Sequence, residues 1–262
     1  MELFLELRNN TYDKPSNSRF QLHVHDEYEI YLFLEGDTRY IVEANSYHLT
    51  PGDVIIIRKN QMHRAFHLSE KRYQSLVMWV SPEFFAANHC EEYEEPFMHP
   101  EALGSKIEAE TVRSSGLYDA FMRLRKYSDG CTAYDRPVVR GIVMEILYLL
   151  RKTKAFSVAE EGNTRLKPVF SYINANFTKP LTLEMIAEQC FISKYHLCHI
   201  FPEVTGLTVH RYITQKRLAY AHALIRDGMS LGSAAASAGF STYSSFYRAY
   251  LDAFGHMPLV DK

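Results

Sequence analysis

Three imidazoles and one carboxylate occur in the first quarter of the sequence, at His23, His25, Glu29 and His63. Alternate residues of an extended strand point to the same side, so the first three would share a face if one strand carries them. His63 would then meet them from a neighbouring strand. Imidazole nitrogens with one carboxylate suit a divalent transition metal such as zinc, nickel, iron or manganese. The same groups also suit a small organic effector, or hydrogen bonds to each other in a filled interior.

A second group of polar side chains falls on one face of a helix that is predicted near the C-terminus. Ser241 is a suitable N-cap for a helix that begins at Thr242, and Gly255 suits the position just past its end. Aromatic residues recur every four positions and predict a buried stripe, at Phe246, Tyr250 and Phe254. A different face carries Tyr243, Ser244, Tyr247 and Arg248. A helix with one packing face and one such polar face is typical of a helix that reads the DNA major groove.

The residues before this helix predict a run of short helices. Thr182, Ser193 and Ser230 are placed as N-caps, each ahead of apolar residues at helical spacing. The helix after Ser193 carries its polar side chains at Lys194, Tyr195, Cys198 and His199. With a connecting helix over Val209 to Ile225, these predict two helix-turn-helix motifs whose reading helices enter successive major grooves. Pro202 predicts that the first reading helix kinks or ends early.

An uncommon pattern of residues ends the chain: Gly239-Phe240, Ser244, Phe246, Arg248 and Tyr250, then Gly255 and Pro258. This pattern resembles the C-terminal signature of the AraC family of bacterial transcription regulators, with Tyr250 where phenylalanine is usual and Leu251 where lysine is usual. The resemblance implies an activator that binds promoter DNA and RNA polymerase as a homodimer. It also implies an N-terminal domain that senses a small molecule such as a sugar.

Residues 20 to 80 have the pattern of a β-rich domain. Runs of β-branched and aromatic residues predict strands over 24–34, 39–44, 53–58 and 72–80. Strands at this spacing suggest a small barrel or jelly roll. The histidine clusters resemble the two cupin motifs over about residues 15–80, although Arg58 and Asn60 depart from the second motif.

That resemblance leaves three alternatives open for the interior of the barrel, one of which is a filled barrel without a ligand. In metal-binding cupins, residues at the positions of His23, His25, Glu29 and His63 hold one divalent transition metal. In AraC-like sensor domains, the same residues often bind an organic effector instead. The alternation of the strands adds Tyr31 and Arg39 to the effector contacts.

A long helix is predicted between these two regions, over Asp135 to Lys152. Its apolar stripe consists of Val139, Ile142, Val143, Ile146, Leu149 and Leu150. The stripe would pack against its own barrel or form a dimer interface, and the resemblance favours the dimer.

Length, charge and cysteine content limit the classes of protein that this sequence can encode. The chain has 262 residues, a net charge of −2 and four cysteines without a C-x-x-C pair. Residues 166–262 carry an excess of three positive charges and residues 1–165 an excess of five negative charges, which fits contact of the former with nucleic acid. No signal peptide or membrane span is visible, so we expect a cytoplasmic protein.

The sequence therefore predicts an α+β chain of two domains. The first is a cupin-like sensing and dimerisation domain over 1–154 with helices at its C-terminal end. A linker over 155–165 leads to an all-α DNA-binding domain over 166–262. The alternative function is a metal-dependent cupin enzyme, an isomerase or dioxygenase, with an accessory helical domain. The effector, the operator and the sign of regulation stay open.

Overall fold

The computed structural model describes residues 5–98, 105–153, 161–162 and 166–256. The chain forms two compact units, one of residues 1–21 and 27–161, the other of residues 22–26 and 162–262. The predicted linker lies outside the described residues except for 161–162, and so does Pro258. None of the helices in the described ranges combines the length and the apolar character that crossing a bilayer requires.

The first unit is built on two β-sheets. Its strands are β1 (Leu5–Tyr12), β2 (Tyr28–Glu35), β3 (Thr38–Val42), β4 (Asn45–His48), β5 (Val54–Ile57), β6 (His63–His67), β7 (Tyr73–Val80), β8 (Lys106–Ile107) and β9 (Glu161–Gly162). One sheet has the order β1-β7-β2-β5-β8 and the other the order β6-β3-β4-β9. β2 lies in the middle of its sheet, with Glu29 opposite Ile57 on one side and opposite Trp79 on the other.

The larger sheet is buried on both faces because alternate residues of its strands serve two cores. On β2, Ile30 and Leu32 belong to the core under the helices, whereas Tyr31 and Phe33 belong to the core shared with the smaller sheet. This explains why β5 is apolar throughout and why six consecutive residues of β2 are buried. It also directs Glu29, which has the parity of Tyr31, into the space between the two sheets.

Helices cover the outer face of the larger sheet. They are α1 (Pro82–Ala87), α2 (Glu95–Met98), α3 (Ala109–Ser114), α4 (Leu117–Leu124) and α5 (Arg136–Thr153), with 3₁₀ turns at Glu91–Glu94 and Arg125–Tyr127. The two-sheet sandwich with helices at its C-terminal end confirms the predicted α+β class.

The second unit is helical. It contains α6 (Lys167–Asn176), α7 (Leu183–Gln189), α8 (Lys194–Thr205), α9 (Val209–Arg226), α10 (Leu231–Ser237) and α11 (Tyr243–Phe254). The hydroxyls of Thr182, Ser193 and Ser230 each accept the backbone N–H three residues later, as predicted for N-caps. The cap of α11 is Thr242 rather than Ser241, because the Thr242 hydroxyl accepts the N–H of Ser245.

Several sequence predictions need correction. The strand predicted from residue 24 begins only at Tyr28, so His23 and His25 precede it and do not share a strand with Glu29. β1, β4, β8 and β9 were not predicted, and β1 pairs with β7 along its whole length. His63 lies on a strand, β6, but this strand belongs to the smaller sheet and is not a neighbour of β2. The first reading helix, α8, does not end at Pro202 but continues to Thr205, where Gly206 ends it in the left-handed conformation.

Candidate functional site

The structure brings together the four side chains that opened the sequence analysis. His23, His25, Glu29 and His63 each offer one nitrogen or oxygen atom, and these atoms all lie within 4.8 Å of one another. Glu29 and His63 are buried, His25 is partly buried and His23 is exposed. The cluster therefore has a buried base and a more open side formed by two histidines.

The buried base is a close contact between a carboxylate and an imidazole. His63 Nε2 lies 3.3 Å from Glu29 Oε2. The other ring nitrogen, Nδ1, lies 2.8 Å from the carbonyl oxygen of Gln61. A carbonyl oxygen can only accept, so Nδ1 carries a hydrogen and Nε2 is the ring nitrogen that faces the carboxylate. Gln61 was not among the predicted site residues.

Tyrosines complete this polar interior. Tyr40 donates a 2.8 Å hydrogen bond to Glu29 Oε1, and its ring stacks on the ring of His63. Tyr31 and Tyr73 share a 2.9 Å hydrogen bond next to it. Burial raises the pKa of Tyr31 and Tyr40 well above the usual value, and that of Tyr73 to about 12. These phenols consequently stay protonated near neutral pH and act as hydrogen-bond donors.

The two strand residues that were predicted to line the interior face different sides of their sheets. Tyr31 faces the shared interior as expected. Arg39 is half-buried on the opposite face of β3 from Tyr40 and Val42, so its predicted place in the interior is wrong. The strand begins at Thr38, one residue earlier than predicted, and the inward residue is Tyr40. Because side chains alternate between the two faces of a strand, the correct register would have identified Tyr40 as the inward residue.

The stripe predicted for dimerisation packs inside the first unit. Its residues Val139, Ile142, Val143, Ile146 and Leu150 are buried in the core under the helices, and Leu149 packs against that core. The outward face of α5 instead carries Val138 and Tyr148, which are exposed. The stripe is thus accounted for by packing of the chain on itself.

The second reading helix, α11, separates a packed face from a polar face. Phe246 and Tyr250 are buried, whereas Phe254 is 41% exposed and its ring lies near those of Tyr250, His222 and His256, so the predicted buried stripe is one residue too long. On the other side Tyr243, Ser244 and Arg248 are exposed and Tyr247 is partly buried. Arg248 donates from Nε to the carbonyl of Ser244 at 3.4 Å, which aligns its side chain along this face.

The first reading helix, α8, exposes its predicted residues but uses some of them in local contacts. Lys194, Tyr195, Cys198 and His199 are all exposed. Lys194 pairs with Glu184 of α7, and His199 Nε2 lies 3.3 Å from Glu203 Oε1. Acidic partners reduce the positive charge that α8 presents. Exposed pairs of this kind contribute little to stability, and a competing phosphate can replace the partner.

A close backbone approach fixes the turn of the second helix-turn-helix. Gly239 has φ +88°, and a Cβ there would lie 2.4 Å from the carbonyl oxygen of Thr178. Arg217 of α9 donates to the carbonyls of Phe177 and Lys179 on either side of Thr178. The loop before α7 is therefore held against both α9 and the turn after α10. This loop connects the two helix-turn-helix motifs through these contacts.

Both halves of the chain match known families. Residues 11–150 match the family described as AraC-like ligand binding domain, and residues 186–260 match a helix-turn-helix domain. The first match alone covers more than half of the chain, and the second covers α8 to α11 with part of α7.

Similar proteins of known role span both matches. The Msm operon regulatory protein of Streptococcus mutans is 23% identical over 241 residues, 90% of this chain and 84% of that protein. The HTH-type transcriptional activator RhaS of Escherichia fergusonii is 26% identical over 251 residues, 91% of this chain and 86% of that protein. Among solved structures, ToxT from Vibrio cholerae covers 97% of this chain and 96% of its own, at 13% identity and a TM-score of 0.42.

Proposed function

Because this chain belongs to the AraC family of transcription regulators, we propose that it binds promoter DNA through α8 and α11 and responds to a ligand held in its first unit. Membership of this family makes it a regulator and not the metal-dependent enzyme considered above. One observation carries the proposal for DNA. The two helix-turn-helix motifs share α9, and the second helix of each exposes a polar face.

On the DNA side, we assign the larger share of specificity to α11. An exposed arginine in a major groove can donate two hydrogen bonds to guanine O6 and N7. Arg248 has this exposure, and Tyr243, Ser244 and Tyr247 stand next to it for contacts to bases or phosphates. On α8, Lys194, Tyr195, Cys198 and His199 supply weaker contacts, because two of them already pair with acidic side chains.

On the ligand side, the polar cluster between the sheets is the candidate binding site. His23, His25, Glu29 and His63 supply donors and acceptors, and Tyr31 and Tyr40 add protonated phenols. Hydrogen bonds from a ligand to groups in low-dielectric surroundings are stronger than the same bonds in water, which supports this cluster as the binding site.

The proposed activity at a promoter implies further partners and a location in the cell. We place the protein in the cytoplasm and name RNA polymerase as a partner, because an activator works where promoter and polymerase meet. We also propose that the protein acts as a homodimer through the outward face of α5, where Val138 and Tyr148 are exposed. Sedimentation of Val138→Glu against the parent protein tests that surface, and equal dimer fractions would argue against it.

Selection of DNA from a random pool by the full chain tests the central proposal. We expect an enriched sequence with two read stretches about one helical turn apart. Affinity for this sequence should fall steeply as salt rises, because Lys and Arg contacts release counterions. A pool without enrichment, or an affinity that does not depend on salt, would contradict the proposal.

A further inference from the structure

We propose that Phe191, next to Tyr195, reads thymine in the major groove by packing its ring against the methyl group of the base. Phe191 lies in the turn between α7 and α8, and Tyr195 lies in the first turn of α8. The inference deepens the proposed function and rests on it, since it names the base that the first helix-turn-helix selects.

Both aromatic side chains stand in solvent. Phe191 is 96% exposed and Tyr195 is 84% exposed. A ring with so little contact adds almost nothing to the packing of the helical unit. Single exposed apolar residues are common on protein surfaces, so exposure alone assigns no role. The backbone of Phe191 adds the observation that does.

The backbone at Phe191 has the left-handed conformation, with φ +54°. A side chain as large as phenylalanine is rare there, because its Cβ crowds the following carbonyl oxygen. Phe191 N–H donates to the carbonyl of Glu188, and Ile192 N–H donates to the carbonyl of Ala187. This is the hydrogen-bond pattern of a Schellman motif at the end of α7, and its left-handed position is most often glycine.

The next four helices of the unit use glycine for this purpose. Glycines with positive φ closely follow the ends of α8, α9, α10 and α11, at Gly206, Gly228, Gly239 and Gly255. A glycine at position 191 would close the turn after α7 at a lower cost. Strain of this kind at an exposed residue is characteristic of functional sites, where the side chain acts outside the fold.

The place of Phe191 in the motif points to DNA as its partner. The second helix of a helix-turn-helix enters the major groove, and its N-terminal residues contact the edges of the bases. Tyr195 belongs to that first turn of α8, and Phe191 lies just before the N-cap, Ser193. The two rings therefore flank the end of α8 that meets the bases.

The other side chains of α8 leave apolar contact as its main means of reading. Lys194 pairs with Glu184, and His199 Nε2 lies 3.3 Å from Glu203 Oε1. The methyl group of thymine is the apolar group that base edges present in the major groove. Exposed rings at α8 thus fit thymine, whereas the exposed arginine of α11 fits guanine.

Replacement of thymine by deoxyuridine tests the contact directly. Deoxyuridine pairs with adenine as thymine does and lacks only the methyl group. In a DNA sequence selected by the full-length protein, we expect thymines in one of the two read stretches. Replacing a contacted thymine should weaken binding about fourfold, which corresponds to about 0.8 kcal/mol for one methyl-sized group removed from water. Fluorescence anisotropy of labelled DNA measures the affinities.

Variants at position 191 assign the effect to the ring. Phe191→Asn removes the ring and places a residue that tolerates the left-handed conformation. The effect of deoxyuridine should then shrink to less than about twofold at one thymine, as in a double-mutant cycle. Phe191→Tyr keeps a ring and should keep the effect. Arg248→Ala is the matched control on α11, and it should weaken binding of both DNAs by the same factor.

Stability supplies a readout that separates reading from folding. Phe191→Asn should raise the urea concentration at which the helical unit unfolds, because it relieves the backbone while removing no packing. A more stable protein with weaker thymine preference is the expected combination. A structural role for the ring would give the opposite change in stability.

The outcomes separate this inference from the proposed function. Equal affinity of the parent protein for the thymine and deoxyuridine DNAs would overturn the thymine contact and leave DNA binding intact. An unchanged deoxyuridine effect in Phe191→Asn would remove Phe191 from the reading surface. A protein that selects no DNA sequence overturns the proposed function itself.

Discussion

Replacement of Gly239 by alanine should destabilise the helical unit more than any ordinary surface change. Gly239 has φ +88°, and an added Cβ would lie 2.4 Å from the carbonyl oxygen and 2.7 Å from the carbonyl carbon of Thr178. These are backbone atoms, held in place by the hydrogen bonds of Arg217 to the residues on either side. The clash therefore cannot be relieved by a side-chain rotation.

The magnitude follows from two separable costs. Forcing a residue with a Cβ into the left-handed region costs about 1–2 kcal/mol. The forced shift of packed backbone adds about 1–3 kcal/mol, as for other overpacked sites. Gly228→Ala isolates the first cost, because Gly228 has φ +90° and no heavy atom within 4 Å of the added Cβ. We expect Gly239→Ala to lose about 2–5 kcal/mol and Gly228→Ala about 1–2 kcal/mol.

Urea denaturation of the full-length proteins measures the difference. Far-ultraviolet circular dichroism follows the helices, and the fluorescence of Trp79, the single tryptophan, follows the first unit, since it lies on β7. Gly239→Ala should shift the helical transition and leave the tryptophan transition in place. Equal losses for the two glycine variants would refute the reasoning, since they would show that the Thr178 carbonyl moves at no cost.

Two further predictions concern DNA and pH. Arg248→Ala should weaken binding of the selected DNA by about 1–3 kcal/mol and relax preference at one base pair, with little change in melting temperature; a large loss of stability with unchanged base preference would assign Arg248 a structural role. Burial lowers the pKa of His67 to about 4, below its ordinary value of 6.5, so protonation favours the unfolded chain. Stability of the first unit should be fully present above pH 6.5 and fall by at most roughly 3 kcal/mol as the pH drops towards 4. Urea denaturation followed by tryptophan fluorescence at several pH values measures this free energy of unfolding. In His67→Asn, which has no titrating ring, the free energy should depend less on pH. An equal pH dependence in the variant and the parent protein would contradict the assignment to His67.

The helical unit could be predicted closely because its signals are local. A capping hydroxyl and the N–H that it satisfies are three residues apart, so Thr182, Ser193 and Ser230 were visible in the sequence. The error at α11 arose because Ser241 and Thr242 are both capping residues, and the sequence alone does not choose between neighbours.

The β-rich unit was predicted less well because its determinants are distant in sequence. β1 is a strand because it pairs with β7, and its alternation of apolar and polar residues covers only Leu5 to Arg8, which is too short to identify it from the sequence. A one-residue shift in β3 exchanged Tyr40 for Arg39 as the inward residue. The stripe of α5 could not be assigned either, because an apolar stripe that packs on its own sheet looks the same as one that packs on a partner.

The single helix α9 has a consequence for how target promoters can change over time. Its 18 residues span about 27 Å as one continuous rod between the two DNA-reading motifs. Because α9 cannot lengthen, an insertion of about five base pairs between the two DNA sites moves the second site to the opposite face of the duplex. An insertion of about ten base pairs returns the second site to the original face but leaves it too far from the first. Natural operators for this protein should therefore diverge by base substitution and very rarely by insertion or deletion between the two stretches.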